Sequence, residues 1–433
     1  MRSFGAAAAI AAGLVVVPLA SAAAPFGRPA EIPLVRTPVA VAVADPTQDG
    51  IQDLVLANAT GPVLTVLPGR QDGSFERPLD IGSGPAPRSF AVGDLDNDGG
   101  DDLAVAGGGE VAIYLSADAT LVRRTALTAP SASTVALTDL DLDGNYDLVA
   151  AGPSRSIVSV FIGLGDGTFL PAQEYATGGS PASLLATDLN GDELPDVVTG
   201  GNNGVSVLFG NGDGTLRPQV SAGGPSGVLA ITGEDLDSDG SVDLAVAHSP
   251  NVVDVLRNTG DEHFAPAGSY VVGGMPGAIG AAYVDGDGAL DLVTANRGTN
   301  DVSVLLGVGD GRFGQQTRIR VGKAPVGLAI DDLDADGAND LVAANRLSKS
   351  VTILLNGVDA PQPVVCLVPG VARRTLAVAR QLVEAANCKV AGVRRKYSAR
   401  VRRGRVISVT PLPGTRHPVE TAVTLLVSRG PKR

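Results

Sequence analysis

Carboxylates carry the chemistry this sequence can offer. The segment DLDLDGNYDLVAA, Asp139 to Ala151, sets four aspartates within nine residues and then turns apolar. Like charges packed so closely repel, which raises their pKa values or unfolds the segment unless a cation sits among them. The pattern returns as DPTQDGIQDL at Asp45, DLDNDGGDDL at Asp94, DLNGDELPDV at Asp188, DLDSDGSVDL at Asp235, YVDGDGALDL at Tyr283 and DLDADGANDL at Asp332. Counted from the first residue of each loop, side chains at positions 1, 3, 5 and 9 supply oxygens. Position 7 can add a carbonyl, and glycine at position 6 permits a sharp turn. Hard oxygen ligands in a flexible loop suit Ca2+, which takes about six to eight of them.

The loops are unequal. Four are complete: Asp94, Asp96, Asp98 and Asp102; Asp139, Asp141, Asp143 and Asp147; Asp235, Asp237, Asp239 and Asp243; Asp332, Asp334, Asp336 and Asp340. A fifth, with Asp188, Asn190, Asp192 and Asp196, carries Glu193 instead of the turn glycine. A left-handed backbone there would cost about 1 kcal/mol. Two are weaker metal sites: Asp45, Asp49 and Asp53 surround Thr47 at position 3, and Asp285, Asp287 and Asp291 follow Tyr283 at position 1. An EF-hand opens in the same way, but it needs Glu at position 12 and helical flanks. Here position 12 is apolar, Val105 or Ala150, and the flanks are strand-like. A solvated charge run would not recur seven times in register.

The elements that must hold these loops also repeat. The final aspartates, Asp53, Asp102, Asp147, Asp196, Asp243, Asp291 and Asp340, are spaced by 49, 45, 49, 47, 48 and 49 residues. A fixed period in this range means an array or a propeller. Each period holds an apolar run before the loop, one after it such as DLVAA, and another such as VSVFIG. A turn such as GDGTF then opens a fourth segment. Asp-Gly between β-rich runs is a hairpin signal. Four short strands make one blade, so seven periods predict a seven-bladed propeller. The last period stops after VTILLNG, before any fourth strand, while PFGRPAEIPLV near the start matches the fourth-strand segments SFERPLDIG and RFGQQTRIRVG. Residues 26–35 are therefore expected to supply the outer strand of the last blade, closing the ring and removing two exposed edges.

These repeats resemble FG-GAP (VCBS-type) repeats, the calcium-loop blades of integrin α-subunit propellers and of many exported bacterial proteins. The resemblance covers residues 26–357 and implies that the calcium is structural, tying together the strands on either side of each loop. It leaves activity open, because function lives in sites grafted on folds.

The ends of the chain differ from this body. Residues 1–22 combine Arg2, a short apolar run containing Pro18, and small residues around Ala20, Ser21 and Ala22. That reads as a secretory signal peptide cleaved near Ala22 or Ala23, and the mature protein is expected to be secreted, with no membrane span. After a linker at residues 358–364, residues 365–430 predict a small α+β domain. Leu376, Ala379, Val383 and Ala386 share one helical face, and the runs CKVAGVRR, GRVISVTP and TAVTLLVSRG read as strands. The only cysteines, Cys366 and Cys388, lie here, and an even pair in an exported chain reads as a disulfide. From residue 361 on there are 15 Lys/Arg and 2 Asp/Glu, a net of +13. The preceding residues hold 18 and 44, a net of −26. An acidic body with a basic tail domain points to two different partners.

This segment resembles a PASTA domain in Val368-Pro369, in the helix with Leu376, Ala379 and Leu382, in GRVISVTPLPGT and in the closing VTLLVSRG. The cysteine pair and Glu420, where a glycine is usual before the last strand, depart from that pattern. The resemblance implies binding to peptidoglycan or related wall polymers, which single copies bind weakly or not at all. The cluster Arg394, Arg395, Lys396, Arg400, Arg402, Arg403 and Arg405 suits an anionic wall polymer. Docking on the acidic propeller and a merely solvated face stay open. Nucleic acid is the partner argued against, by export and by the lack of stacking aromatics.

No catalytic constellation emerges. His248, His263 and His417 are scattered without metal-ligand spacing, and the aspartates are committed to repeated loops. The expectation is a non-catalytic adhesion or interaction protein whose propeller takes an unknown protein or glycan. A carbohydrate-binding propeller is the alternative, weakened by the absence of Trp and by only 6 Tyr, since sugar rings stack on such side chains. A propeller enzyme such as a lyase ranks below that.

Overall fold

A computed structural model describes residues 25–431 apart from 61–62, 83–85, 118–119, 261, 358–364, 387, 399, 412, 414–415 and 419–421. The expected signal peptide, its cleavage region, the linker and Glu420 lie outside the described residues.

Seven four-stranded antiparallel sheets lie between Ala30 and Leu354. Six are meanders of consecutive strands, blades 1 to 6, at residues 38–81, 87–128, 134–176, 181–223, 228–271 and 276–320. Blade 7 takes three strands from residues 325–354 and its outer strand from Ala30–Pro33, which pairs antiparallel with Ser350–Leu354. The register sets Ala30 opposite Ile353 and Pro33 opposite Ser350, and the Ser350 hydroxyl donates to Glu31. The expected closure by residues 26–35 is thus present, with a further bridge between Phe26 and Asn356.

The burial of each strand follows from its place in the blade. First strands of successive blades touch all the way round the ring, that of blade 1 meeting that of blade 7. Second and third strands are mostly buried, Asp53–Asn58 and Leu64–Leu67 along their whole length. Both their faces meet neighbouring blades, so they read as unbroken apolar runs rather than alternating ones. Fourth strands, such as Gln173–Ala176, face water.

Apolar seams join the blades. Val55 and Leu64 of blade 1 meet Leu103 and Tyr114 of blade 2. The closing seam packs Leu54 and Leu56 of blade 1 on Val342, Val351 and Ile353 of blade 7, with Leu34 of the N-terminal segment between them.

The C-terminal domain has its own core. The helix Leu376–Ala385 starts at Thr375, whose hydroxyl accepts from the Val378 N–H, an N-cap that satisfies one of the free donors of the first turn. Ala379 and Val383 are fully buried, and Leu376 and Ala386 pack beside them, as the helical periodicity predicts. Leu382, by contrast, is exposed. The three expected strands form one sheet, with Ala422–Ser428 central, parallel to Lys389–Lys396 and antiparallel to Val406–Thr410. A second ladder, Val365–Leu367 with Arg416–Pro418, was not foreseen, because three-residue strands leave no periodic signal. A disulfide joins Cys366 to Cys388 across the helix. Among the described residues no helix is long and apolar enough to cross a membrane.

The closing seam is open to a direct test. Leu56→Ala should cost about 2–5 kcal/mol, whereas Leu79→Ala on an exposed fourth strand should stay within about 0.5 kcal/mol of wild type. Denaturant unfolding at fixed calcium measures both, and equal midpoints would show that the seam does not hold the ring.

Candidate metal centres at the seams between blades

Each aspartate loop is the turn from the first strand of a blade to its second, so all seven lie at one end of the ring. The position-9 aspartate opens the second strand and is buried in every blade. One oxygen accepts the N–H at the end of the third strand: Gly69 for Asp53, Ser116 for Asp102, Gly163 for Asp147, Gly210 for Asp196, Asn258 for Asp243, Gly307 for Asp291 and Asn356 for Asp340. In five blades the other oxygen takes the N–H of position 2 in the same loop, for example Leu95 to Asp102 and Leu140 to Asp147, both 2.8 Å. One carboxylate thus ties three strands. This bracing role was missing from the sequence reading, which cast position 9 only as a ligand.

Position 1 shapes the loop itself. Asp139 accepts the N–H groups of Asp143 and Gly144, and Asp94, Asp235 and Asp332 do the same in their own loops. The position-5 carboxylate accepts the N–H of position 7, as Asp143 does from Asn145. These bonds turn the remaining carboxylate oxygens toward one another. Oxygens of Asp94, Asp96 and Asp102, and of Asp139, Asp141 and Asp147, lie within 4.8 Å of each other. So do those of Asp235, Asp237 and Asp239, and of Asp332, Asp334 and Asp336. The four loops complete in sequence are therefore the four that gather three carboxylates, and each could hold a metal ion. With oxygen donors alone, the sets fit a hard divalent cation.

The other three loops differ in instructive ways. In the first, the Thr47 hydroxyl lies 3.3 Å from Asp45 and 2.9 Å from Asp53, bridging the two carboxylates at position 3. In the fourth, Asn190 donates its amide to Asp192. In the sixth, Tyr283 removes the position-1 acceptor.

Burial, and then the neighbouring carboxylates, push these acids far above their ordinary range. Asp94 and Asp340 rise to about 6, and Asp102, Asp139, Asp147, Asp196 and Asp291 to about 7. The loop geometry favours carboxylates that are neutralised, by protons or by a cation.

Backbone strain marks two positions per loop. Position 6 is left-handed throughout, as expected, and Glu193 adopts φ 66° where the others have glycine. Position 4 is also left-handed, at Gln48, Asn97, Leu142, Gly191, Ser238, Gly286 and Ala335. Mixed residue types there hid the requirement in the sequence.

The loops also join neighbouring blades. The Gly167 N–H of the blade 3 GDG turn donates to the Leu95 carbonyl of the blade 2 loop. Gly214 reaches Leu140 and Gly311 reaches Leu236 in the same way. In blades 5 and 7, which lack that turn, an asparagine amide substitutes: Asn258 to Leu189 and Asn356 to Val284. The C-terminal domain lies against loops 2 and 3, with Arg400 donating to the Leu164 carbonyl at 3.4 Å and the Ile407 carbonyl facing Gly144.

Three measurements follow. Glu193→Gly should raise stability by about 1 kcal/mol by removing a left-handed side-chain residue; a loss in the melt would contradict the strain. In chelator, Asp147→Asn should cost about 1–3 kcal/mol, because its amide nitrogen faces a buried N–H, while Asp141→Asn should not; equal losses would overturn the bracing role. The raised carboxylates bind more protons in the folded state than in the unfolded one between about pH 4 and 7. The chelated chain should therefore be most stable toward the acid side of that window and lose stability as pH rises through 6–7. A chelated melt at pH 8 matching that at pH 5 would contradict it.

The propeller fold is shared with solved structures. An Agrocybe aegerita lectin, described as recognising non-reducing terminal N-acetylglucosamine, aligns at TM-score 0.50 and 20% identity over 66% of this chain and 80% of its own. BBS1N in complex with ARL6DN, soaked with lead, aligns at TM-score 0.57 and 14% identity over 78% of this chain and 100% of its own. No curated protein matches. The FG-GAP-like repeat model matches residues 45–105, 94–150, 139–199, 188–246 and 283–343, and the PASTA domain model matches residues 367–429. With acidic loops on every blade and more than half its length covered by the repeat model, the chain belongs to the FG-GAP-like repeat family and carries a PASTA domain at its C-terminal end.

Proposed function

We propose that this is an exported, non-catalytic adhesion or interaction protein. Calcium in the carboxylate loops stiffens the propeller as a recognition scaffold, and the PASTA domain binds peptidoglycan or an anionic wall polymer. The observation that carries this reading is the joining of a metal-loop propeller to a PASTA domain whose cations face water. Arg394, Arg395, Lys396, Arg402 and Arg403 are all exposed. The disulfide and the absence of a spanning helix among the described residues are compatible with an extracellular site.

The histidines support a non-catalytic role. His248 lies 3.2 Å from Asp254, and the Ser269 hydroxyl donates to that same aspartate. The carboxylate stands between serine and imidazole, so His248 is not placed to take the proton of the hydroxyl as in a serine–histidine nucleophile pair. His263 is exposed, and the side chain of His417 lies outside the described ones.

A second reading, glycan binding by the propeller, draws on its likeness to the lectin. Sugar stacking needs accessible rings, and among the described residues the only exposed aromatic is Tyr397 of the C-terminal domain. Tyr270 and Phe313 meet edge to face between blades 5 and 6, but they pack into the seam. Protein recognition is therefore our reading for the propeller, with glycan binding as the alternative. For the basic face, the contact of Arg400 with blade 3 favours a rival role as an internal clamp.

Co-sedimentation with purified cell walls separates these readings. The mature chain and a version ending at Asn356 would be compared in calcium across a salt series. Pelleting by the full chain alone, weakening as salt screens the cations, supports the wall-binding domain. Equal pelleting shifts recognition to the propeller and its glycan reading. No pelleting by either ends the wall role and leaves the clamp. Calcium is tested separately by melting: each occupied loop adds about 2.7 kcal/mol at a concentration of 100 Kd, and a melt unchanged by chelator would end the calcium reading.

A further inference from the structure

Blade 5 departs from its own repeat at one residue. The third-strand residue just before the donor to the position-9 aspartate is Pro68, Leu115, Ile162, Phe209, Leu306 or Leu355 in six blades. In blade 5 it is Arg257. This place adjoins the metal loop. A side chain built on Gly214 would meet both Ile162 and the position-3 ligand Asp141, and one on Gly73 would meet both Leu355 and Asp334. Arg257 uses the same location for an ion pair, its Nε lying 3.0 Å from Oδ2 of Asp237. Asp237 is the position-3 member of a three-carboxylate cluster, and only 9% of its side chain is exposed. Among the described residues, no other member of the four clusters has an arginine, lysine or histidine at ion-pair distance. Below the loop, Oδ2 of the buried Asp243 makes no hydrogen bond of good geometry, the Leu236 N–H acting on it only weakly. Loop 5 therefore holds its own cation on one ligand and an under-coordinated oxygen on another.

We propose that Arg257 is an internal counter-ion that makes loop 5 the weak, adjustable calcium site among the four loops that gather three carboxylates. This rests on the calcium reading given above. A divalent ion entering loop 5 must displace the guanidinium from Asp237 or tolerate its repulsion at close range. Loops 2, 3 and 7 hold no cation at ion-pair distance among the described residues, Arg373 and Arg124 acting on Asp96 of loop 2 only from further away. In turn, Arg257 holds Asp237 in place when calcium is scarce, so the loop keeps its shape beneath the blade 6 turn, whose Gly311 N–H rests on Leu236. A unit charge a few ångströms from the ion weakens binding by roughly tenfold or more.

Calorimetric calcium titration of the mature full-length chain tests this, with thermal melts confirming that each variant folds. Wild type should show a tight class of loops 2, 3 and 7 that excludes loop 5, and Asp237→Asn should remove one site at least tenfold weaker than that class while the tight class stays intact. Arg257→Gln should move it into the tight class, raising the tight count by one. Arg257→Lys, which keeps the charge, should leave it weak, and so should Arg155→Gln, which breaks an exposed pair with Glu174 far from any loop. Calcium uptake unchanged by Arg257→Gln, or loss of a tight site in Asp237→Asn, overturns the role of Arg257 while leaving the calcium reading intact. A wild-type chain that takes up no calcium overturns both.

Discussion

A buried carboxylate that accepts backbone N–H groups from two directions is the interaction on which the ring depends. The aspartate opening each second strand is inaccessible to water, yet it is the one side chain that reaches both its own loop and the end of the third strand. Leaving those N–H groups unpaired would cost far more than the modest net gain of a surface hydrogen bond. The acidic loop is accordingly less an ornament on a β-blade than the knot that ends two hairpins together. Its drawback is electrostatic: burial and crowding favour a neutral carboxyl, so the brace and the ion-binding character arise from one arrangement.

Because the loop also receives a donor from the next blade, local and global order are linked. The turn glycines and asparagines that reach the position-2 carbonyl follow the ring in one direction, blades 3 to 7 each seated on the predecessor's loop. Beneath these polar contacts lie apolar seams of Val, Leu and Ala. The seams supply the non-directional stabilisation and the loops fix the angular registration, a division expected when hydrophobic burial is tolerant of geometry and hydrogen bonding is not.

Much of this was legible because the repeat multiplies weak signals. A single DLVAA run could be helix or strand, but seven of them at a constant interval after an Asp-rich turn could only be blades. The strand lent by the N-terminus was readable from a missing fourth segment at one end and a spare one at the other. The helix face of the C-terminal domain was readable from period alone. Features that depend on backbone angles or on partners far along the chain were not. Left-handed position 4 is filled by Gln, Asn, Leu, Ser, Ala and Gly, so no residue type announces it. The bracing role of position 9 needs the third strand, which lies 14 to 16 residues further on. The contact between Arg257 and Asp237 crosses the blade, and in sequence it is one arginine in a strand.

The bond between Ser350 and Glu31 joins residues 319 positions apart. Six blades can form as their own hairpins appear, but the seventh must wait for the first strand to be recaptured. Until then both faces of the opening expose apolar seam and unpaired strand edges, the features that template aggregation. Long-range closure of this kind is entropically late. The first blade's neighbour is thus the last element to arrive, and the chain is most vulnerable in the interval before the ring is sealed. Anything that holds residues 30–33 during that interval would act as a folding timer.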